Sequence, residues 1–156
     1  FDFGFQFQPS FGTQSNGIAY GNSTFKILKN RFKKALGYRV KKKLGFKLES
    51  LDCYYDYWNY AKTHVNIGFN SNVYPGITPM WDNSARRKEH PFILHNSTPE
   101  KYKEWLKHIK ENYPWDTVPE HFLFINAWNE WAEGNHLEPC QKWGTAYLEA
   151  TKQVLE

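Results

Sequence analysis

The sequence predicts an α/β fold, because strand, loop and helix signals alternate along its 156 residues. Three segments carry that reading. FDFGFQFQ at residues 1–8 places Phe at every second position, the two-residue period of a strand. STPE at 97–100 is a helix start: a hydroxyl to cap, a proline at an early position and an acid in the first turn. HFLFIN at 121–126 is a continuous apolar run, the pattern of a strand buried on both faces of a parallel sheet.

The remaining elements follow in order. The first strand ends at Pro9, and the polar stretch 10–23 has loop composition. In the basic block at 26–47, Leu28, Phe32, Ala35 and Leu36 fall at helical spacing before Gly37 interrupts them. The Tyr-rich segment 51–62 is expected to be helical, with a strand near 65–69 and turn-prone residues at 70–72. VYPGITPMWDN contains two prolines, which forbid regular central-strand pairing, so a short strand should break into a loop at 81–87. The helix beginning at 97–100 should run to about Glu111 with Trp105, Leu106 and Ile109 as its apolar stripe, and a closing helix is expected over 143–155.

Composition narrows the class. With 40% hydrophobic and 23% charged residues the chain can bury a core, and its length suits one domain or a piece of one. Aromatic residues make up 19%, which fits either sugar binding through ring faces or a large aromatic core. The first residue is Phe1 and the single methionine is Met80, so sequence upstream is expected. No run of about 18 apolar residues is present to span a membrane. Cys53 and Cys140 lie in no metal-ligand or disulfide-framework spacing and read as free thiols, which suits a reducing compartment. The formal charge of +4 is uneven: residues 26–47 hold ten of the twenty Lys and Arg and no acid, while the remainder carries ten bases against sixteen acids. That block reads as a solvated helical face or as a contact for an anionic membrane surface; no nucleic-acid fold accompanies it.

The chemistry concentrates at 126–139, NAWNEWAEGNHLEP, just past the apolar run, where parallel α/β folds place their active sites. Breaking a glycosidic bond requires one group to protonate the leaving oxygen and another to act as base or nucleophile. Glu130 and Glu133 can supply that pair. Trp128 and Trp131 could desolvate them and Asn129 could orient them, whereas the structural alternative is an acidic loop whose aromatics pack on the core. Glu138, just before Pro139, suits bracing or hydroxyl binding. His136 could orient a carboxylate, and no second His at ligand spacing implies a metal. Trp81, Asp82 and Asn83 are candidates for sugar recognition, with an Asx turn as the alternative. Arg86 either binds an acidic group of the substrate or neutralises Asp82.

The run at 126–139 resembles the signature of the WbsX-type family of bacterial polysaccharide biosynthesis proteins, relatives of the glycoside hydrolase family 99 endo-α-mannosidases. FDFGFQFQPS, YPGITPMWDNSARR and WGTAYLEA are similar to further blocks of that family in the same order. The resemblance implies the C-terminal half of a (β/α)8 barrel, with 26–47 as a basic insertion, since a full member is about twice this long. It implies Glu130 as the base and Glu133 as the general acid and base at the leaving oxygen. In the related hydrolases the proposed base takes the proton of the substrate's own 2-hydroxyl, giving a 1,2-anhydro sugar without an enzyme nucleophile. Ala132 and the pair Asn135-His136 depart from the hydrolase motif, so sugar specificity does not carry over. The expected protein is a cytoplasmic, glycan-active enzyme of O-antigen or capsule metabolism, using no metal or other cofactor. Its substrate would be a glycan or lipid-linked glycan, with peripheral membrane contact through 26–47 as an option. The rival is a non-catalytic glycan-binding module.

Overall fold

The computed structural model describes residues 4–9, 53–67, 73–87 and 91–156. The loop expected at 10–23 and the basic block at 26–47 lie outside them. Nine short strands and three helices are described in these segments: β1 (Gly4–Phe5), β2 (Cys53–Asp56), α1 (Tyr57–Ile67), β3 (Val73–Tyr74), β4 (Gly76–Ile77), β5 (Trp81–Asp82), β6 (Phe92–His95), α2 (Pro99–Asn112), β7 (Phe124–Ile125), β8 (Asn129–Glu130), β9 (Asn135–His136) and α3 (Ala146–Leu155).

The parallel pairings organise the molecule. Residues 73–77 pair with β1 through their first two residues and with β7 through their last two, in parallel each time. Pro75 divides them, because it has no N–H to give a ladder; its carbonyl still accepts from Phe124 N at 3.0 Å. Gly76 is required where the backbones crowd, since a Cβ there would stand 1.7 Å from the Gln6 carbonyl oxygen. A second sheet has β6 in the middle, parallel to β2 and antiparallel to β5.

The helices form from the local signals that cap and stripe them. Thr98 caps α2 by accepting from Lys101 N at 3.3 Å. Tyr102, Trp105, Leu106 and Ile109 then fall on one buried face, and the helix ends before Pro114. α3 lays Tyr147, Ala150 and Val154 against it, with Tyr102 meeting Tyr147 edge-to-face at 5.5 Å. α1 contributes Tyr57, Tyr60, Ala61 and His64, at the i, i+3, i+4, i+7 spacing of a core-facing stripe. Trp105 lies at the junction, within 6.1 Å ring to ring of Tyr57, Tyr60 and His64. Among the described residues no helix is long and apolar enough to cross a membrane.

Three expectations are corrected. Residues 53–56 are a strand, not part of a helix; the helix starts where Asp56 Oδ1 accepts from the amides of Trp58 and Asn59, both at 3.1 Å. The strand expected at 65–69 is helical as far as Ile67, and 68–69 lie outside the described residues. The run 121–126 is not buried on both faces: Leu123 and Ile125 pack on the core, whereas Phe122 and Phe124 are 53% and 42% exposed. Phe124 lies 4.9 Å from the ring of Phe5, which is also exposed, so the described strands turn an aromatic face outward.

Candidate functional site

The site is built on the chain that leaves β7. Asn126 continues the pairing, its N–H donating to the Ile77 carbonyl at 2.9 Å, and its side-chain amide donates to the Gln8 carbonyl at 2.6 Å. The peptide bond that follows, Asn126–Ala127, is cis. The chain then forms the antiparallel hairpin β8–β9 around a tight turn at 131–133, pairing Asn129 with His136 and Glu130 with Asn135. Leu137 and Glu138 return their N–H groups to the Trp128 carbonyl at 2.8 and 2.9 Å.

Asn135 fastens this hairpin to the sheet. It is fully buried; its Oδ1 accepts from the Thr78 hydroxyl at 3.1 Å and its Nδ2 donates to the Asn126 carbonyl at 2.7 Å. Burying an amide is favourable only with such partners, so these contacts fix the hairpin's register against β4. Gly134 fastens it on the other side. Its φ of 55° is left-handed, and a Cβ there would stand 3.1 Å from both Cβ and the carbonyl oxygen of Asp82. From sequence Gly134 had no role, and Asn135 stood only among the motif's asparagines as a group that could orient the acids. Gly134 was detectable as a glycine closing a tight turn, while Asn135 gave no signal beyond its polarity.

The acid pair and one arginine meet here. Arg86 Nη1 lies 3.1 Å from Glu133 Oε1 and 3.8 Å from Glu130 Oε1. Both carboxylates therefore converge on one nitrogen, although they come from the hairpin and the arginine from the turn after β5. Glu133 is the more enclosed, its side chain 22% exposed against 44% for Glu130. Arg86 thus pairs with the two glutamates, not with Asp82.

Other candidates divide between fold and surface. Trp81 and Asn83, expected at the sugar, are 3% and 2% exposed and belong to the fold. Asn83 Oδ1 accepts from Phe92 N at 2.7 Å, and its carbonyl takes the amides of Arg86 and Arg87. Asp82 is exposed and closes an Asx turn by accepting from Ser84 N at 2.9 Å. Trp128 and Trp131 are exposed rather than walls of a cleft, so the acid pair sits on an open surface flanked by one turn and one hairpin. Trp131 lies flat on His136, ring centroids 3.8 Å apart, and its indole N–H donates to Glu138 Oε2 at 2.7 Å. Glu138 therefore braces Trp131. Burial pushes the His136 imidazole below its ordinary pKa, with Glu138 pulling the other way. Neither of its ring nitrogens finds a hydrogen-bond partner among the described residues.

An acid pair flanked by exposed tryptophans at the end of a parallel strand is a surface suited to carbohydrate chemistry. Residues 2–151 match the family described as Glycosyltransferase WbsX, and the chain belongs to that family. The chain is also 43% identical over 84 residues to the WxcX proteins of two strains of Xanthomonas campestris pv. campestris, whose function is uncharacterised. The matched stretch is 53% of this chain and 12% of the length of those relatives. No solved structure matches the chain.

Proposed function

We propose that the chain is the C-terminal half of a (β/α)8-barrel catalytic domain that cleaves or transfers a glycosyl unit in bacterial surface polysaccharide metabolism, with Glu130 and Glu133 as its reacting acids. The observation that carries this reading is the convergence of the two carboxylates on Arg86 at the end of β7. Glycosyl chemistry needs two carboxyl groups near one another in unlike environments, and the two differ twofold in exposure. The barrel reading is supported by the parallel succession of β1, residues 73–77 and β7, and by the hairpin's position beyond the carboxyl end of β7.

Glu130 is the base in this proposal and Glu133 the general acid. Trp128 and Trp131 offer faces to a sugar ring, with Asn129 and Asp82 as exposed polar groups beside them; Glu138 and His136 hold Trp131 in place. The substrate is a glycan or lipid-linked glycan, met by a cytoplasmic enzyme, with 26–47 either a solvated face or a peripheral contact for an anionic membrane surface.

The test uses the full-length protein on O-antigen and capsule oligosaccharides and on 4-nitrophenyl glycosides. Glu133→Gln should abolish turnover of the oligosaccharides yet spare much of it on the aryl glycosides, whose leaving group needs little protonation. Glu130→Gln should damage both. Wild-type turnover by both variants would return the site to a non-catalytic glycan-binding module.

A further inference from the structure

The turn that carries Arg86 is more firmly held than an exposed arginine requires. Asn83, buried, bonds Phe92 through its side chain and its backbone N–H, while its carbonyl anchors the amides of Arg86 and Arg87. Asp82 bonds Ser84 within the turn and leaves no room for a side chain at Gly134, the residue immediately after Glu133. The guanidinium and the two carboxylates are thus mounted on two elements so close that a Cβ at Gly134 would stand 3.1 Å from Asp82, with the flexible part limited to three side chains. A surface ion pair between freely rotating chains contributes little; one whose backbones are fixed loses less entropy on forming.

The charges indicate what Arg86 does. Two glutamates already crowd one guanidinium nitrogen, so a phosphate or uronate brought to Arg86 meets two acids as well. Binding a substrate anion is therefore a poor use of this arginine.

We infer that Arg86 is a positioning residue for the acid pair, holding Glu130 and Glu133 on a single guanidinium nitrogen so that both face the same reacting bond. The inference rests on the reading of those glutamates as the reacting acids. Glu133, the closer of the two, meets Arg86 through Oε1, so its Oε2 can carry a proton to a leaving group while the contact holds.

Carbodiimide-driven coupling of glycine methyl ester, read by peptide mass spectrometry on the full-length protein, tests the clamp without a natural substrate. Arg86→Gln should speed coupling at Glu130 and Glu133 by about fivefold, the equivalent of ~1 kcal/mol for a released ion pair. Arg86→Lys should restore slow coupling in part, and Asp56, remote at the α1 cap, should couple at an unchanged rate. On a 4-nitrophenyl glycoside, Arg86→Gln should lose about tenfold in kcat with KM unchanged, because the arginine acts through the acids and not on the sugar. Unchanged coupling at both glutamates, or a raised KM with kcat intact, overturns the inference. Full turnover by Glu130→Gln and Glu133→Gln would instead overturn the acid-pair reading, while faster coupling in Arg86→Gln would still establish the clamp.

Discussion

Acid should loosen the core through His64. This side chain is buried on α1, its ring 4.6 Å from Tyr60 and stacked 6.0 Å from Trp105, with Nδ1 3.3 Å from the Gln8 amide nitrogen. Nε2 is enclosed and finds no hydrogen-bond partner among the described residues. A proton there would place a charge among aromatic rings with no acceptor. Burial accordingly pushes the imidazole down from 6.5 to about 4. The depressed value means that the unfolded chain binds the proton first, so stability is full above about pH 6.5 and falls as pH drops toward 4. Integrating proton binding over that window gives a loss of about 2 kcal/mol by about pH 5, approaching ~3 kcal/mol below pH 4. Urea unfolding of wild type and His64→Gln, followed at about pH 7.5 and pH 5, measures it: the wild type should lose about 2 kcal/mol more than the variant. His136 is depressed in the same direction, so the difference between proteins, not the raw slope, isolates His64. Equal pH slopes in the two proteins would refute the reasoning.

Two substitutions test how the hairpin is fastened. Asn135→Ala strips a buried donor and acceptor at once, leaving the Thr78 hydroxyl with its bond to the Met80 carbonyl and the Asn126 carbonyl short of a partner. It should cost about 1–3 kcal/mol in urea unfolding, and a change under a few tenths would show that water replaces the amide. Gly134→Ala forces a side chain into a left-handed residue and against Asp82, so about 1–3 kcal/mol of strain is expected and the hairpin should shift away from the Arg86 turn. Turnover should fall further than the melting temperature suggests; wild-type activity in this variant would show that the contact with Asp82 does not set the site.

How far the sequence could be read depended on how local each signal was. α2 is carried by a cap, a proline and a stripe within fourteen residues, and the structure has all three. The boundary at Asp56 was lost because tyrosines on both sides fit a strand or a helix equally; the acid that caps α1 was the signal to weigh. β6 was missed, being four residues between a turn and a helix start. At the site, the motif placed Glu130 and Glu133 on one short segment, but their partner Arg86 stands more than forty residues earlier and is brought near by the pairing of β4 with β7 and the bond of Thr78 to Asn135. Trp81 and Asn83 stayed open between sugar and fold for the same reason: whether a tryptophan beside a turn faces a sugar or a core is decided by β6, which lies beyond any local window. The outward faces of Phe122 and Phe124 were not legible either, since an apolar run does not record which of its sides is covered.

The supports of the acid hairpin share a chemical trait. Thr78, Asn135, Asn126 and Gln8 hold it through hydroxyl and amide groups, and none of these takes up or releases a proton in ordinary buffers. At the far end the series meets two titratable groups, where Gln8 accepts from the Tyr60 hydroxyl at 2.7 Å and its amide nitrogen reaches His64 at 3.3 Å. Through neutral and mildly acid solution these four supports therefore carry a constant charge. A pH–rate curve measured above the range in which His64 charges would be free of any change in these supports; below it, the same curve would start to record the frame giving way.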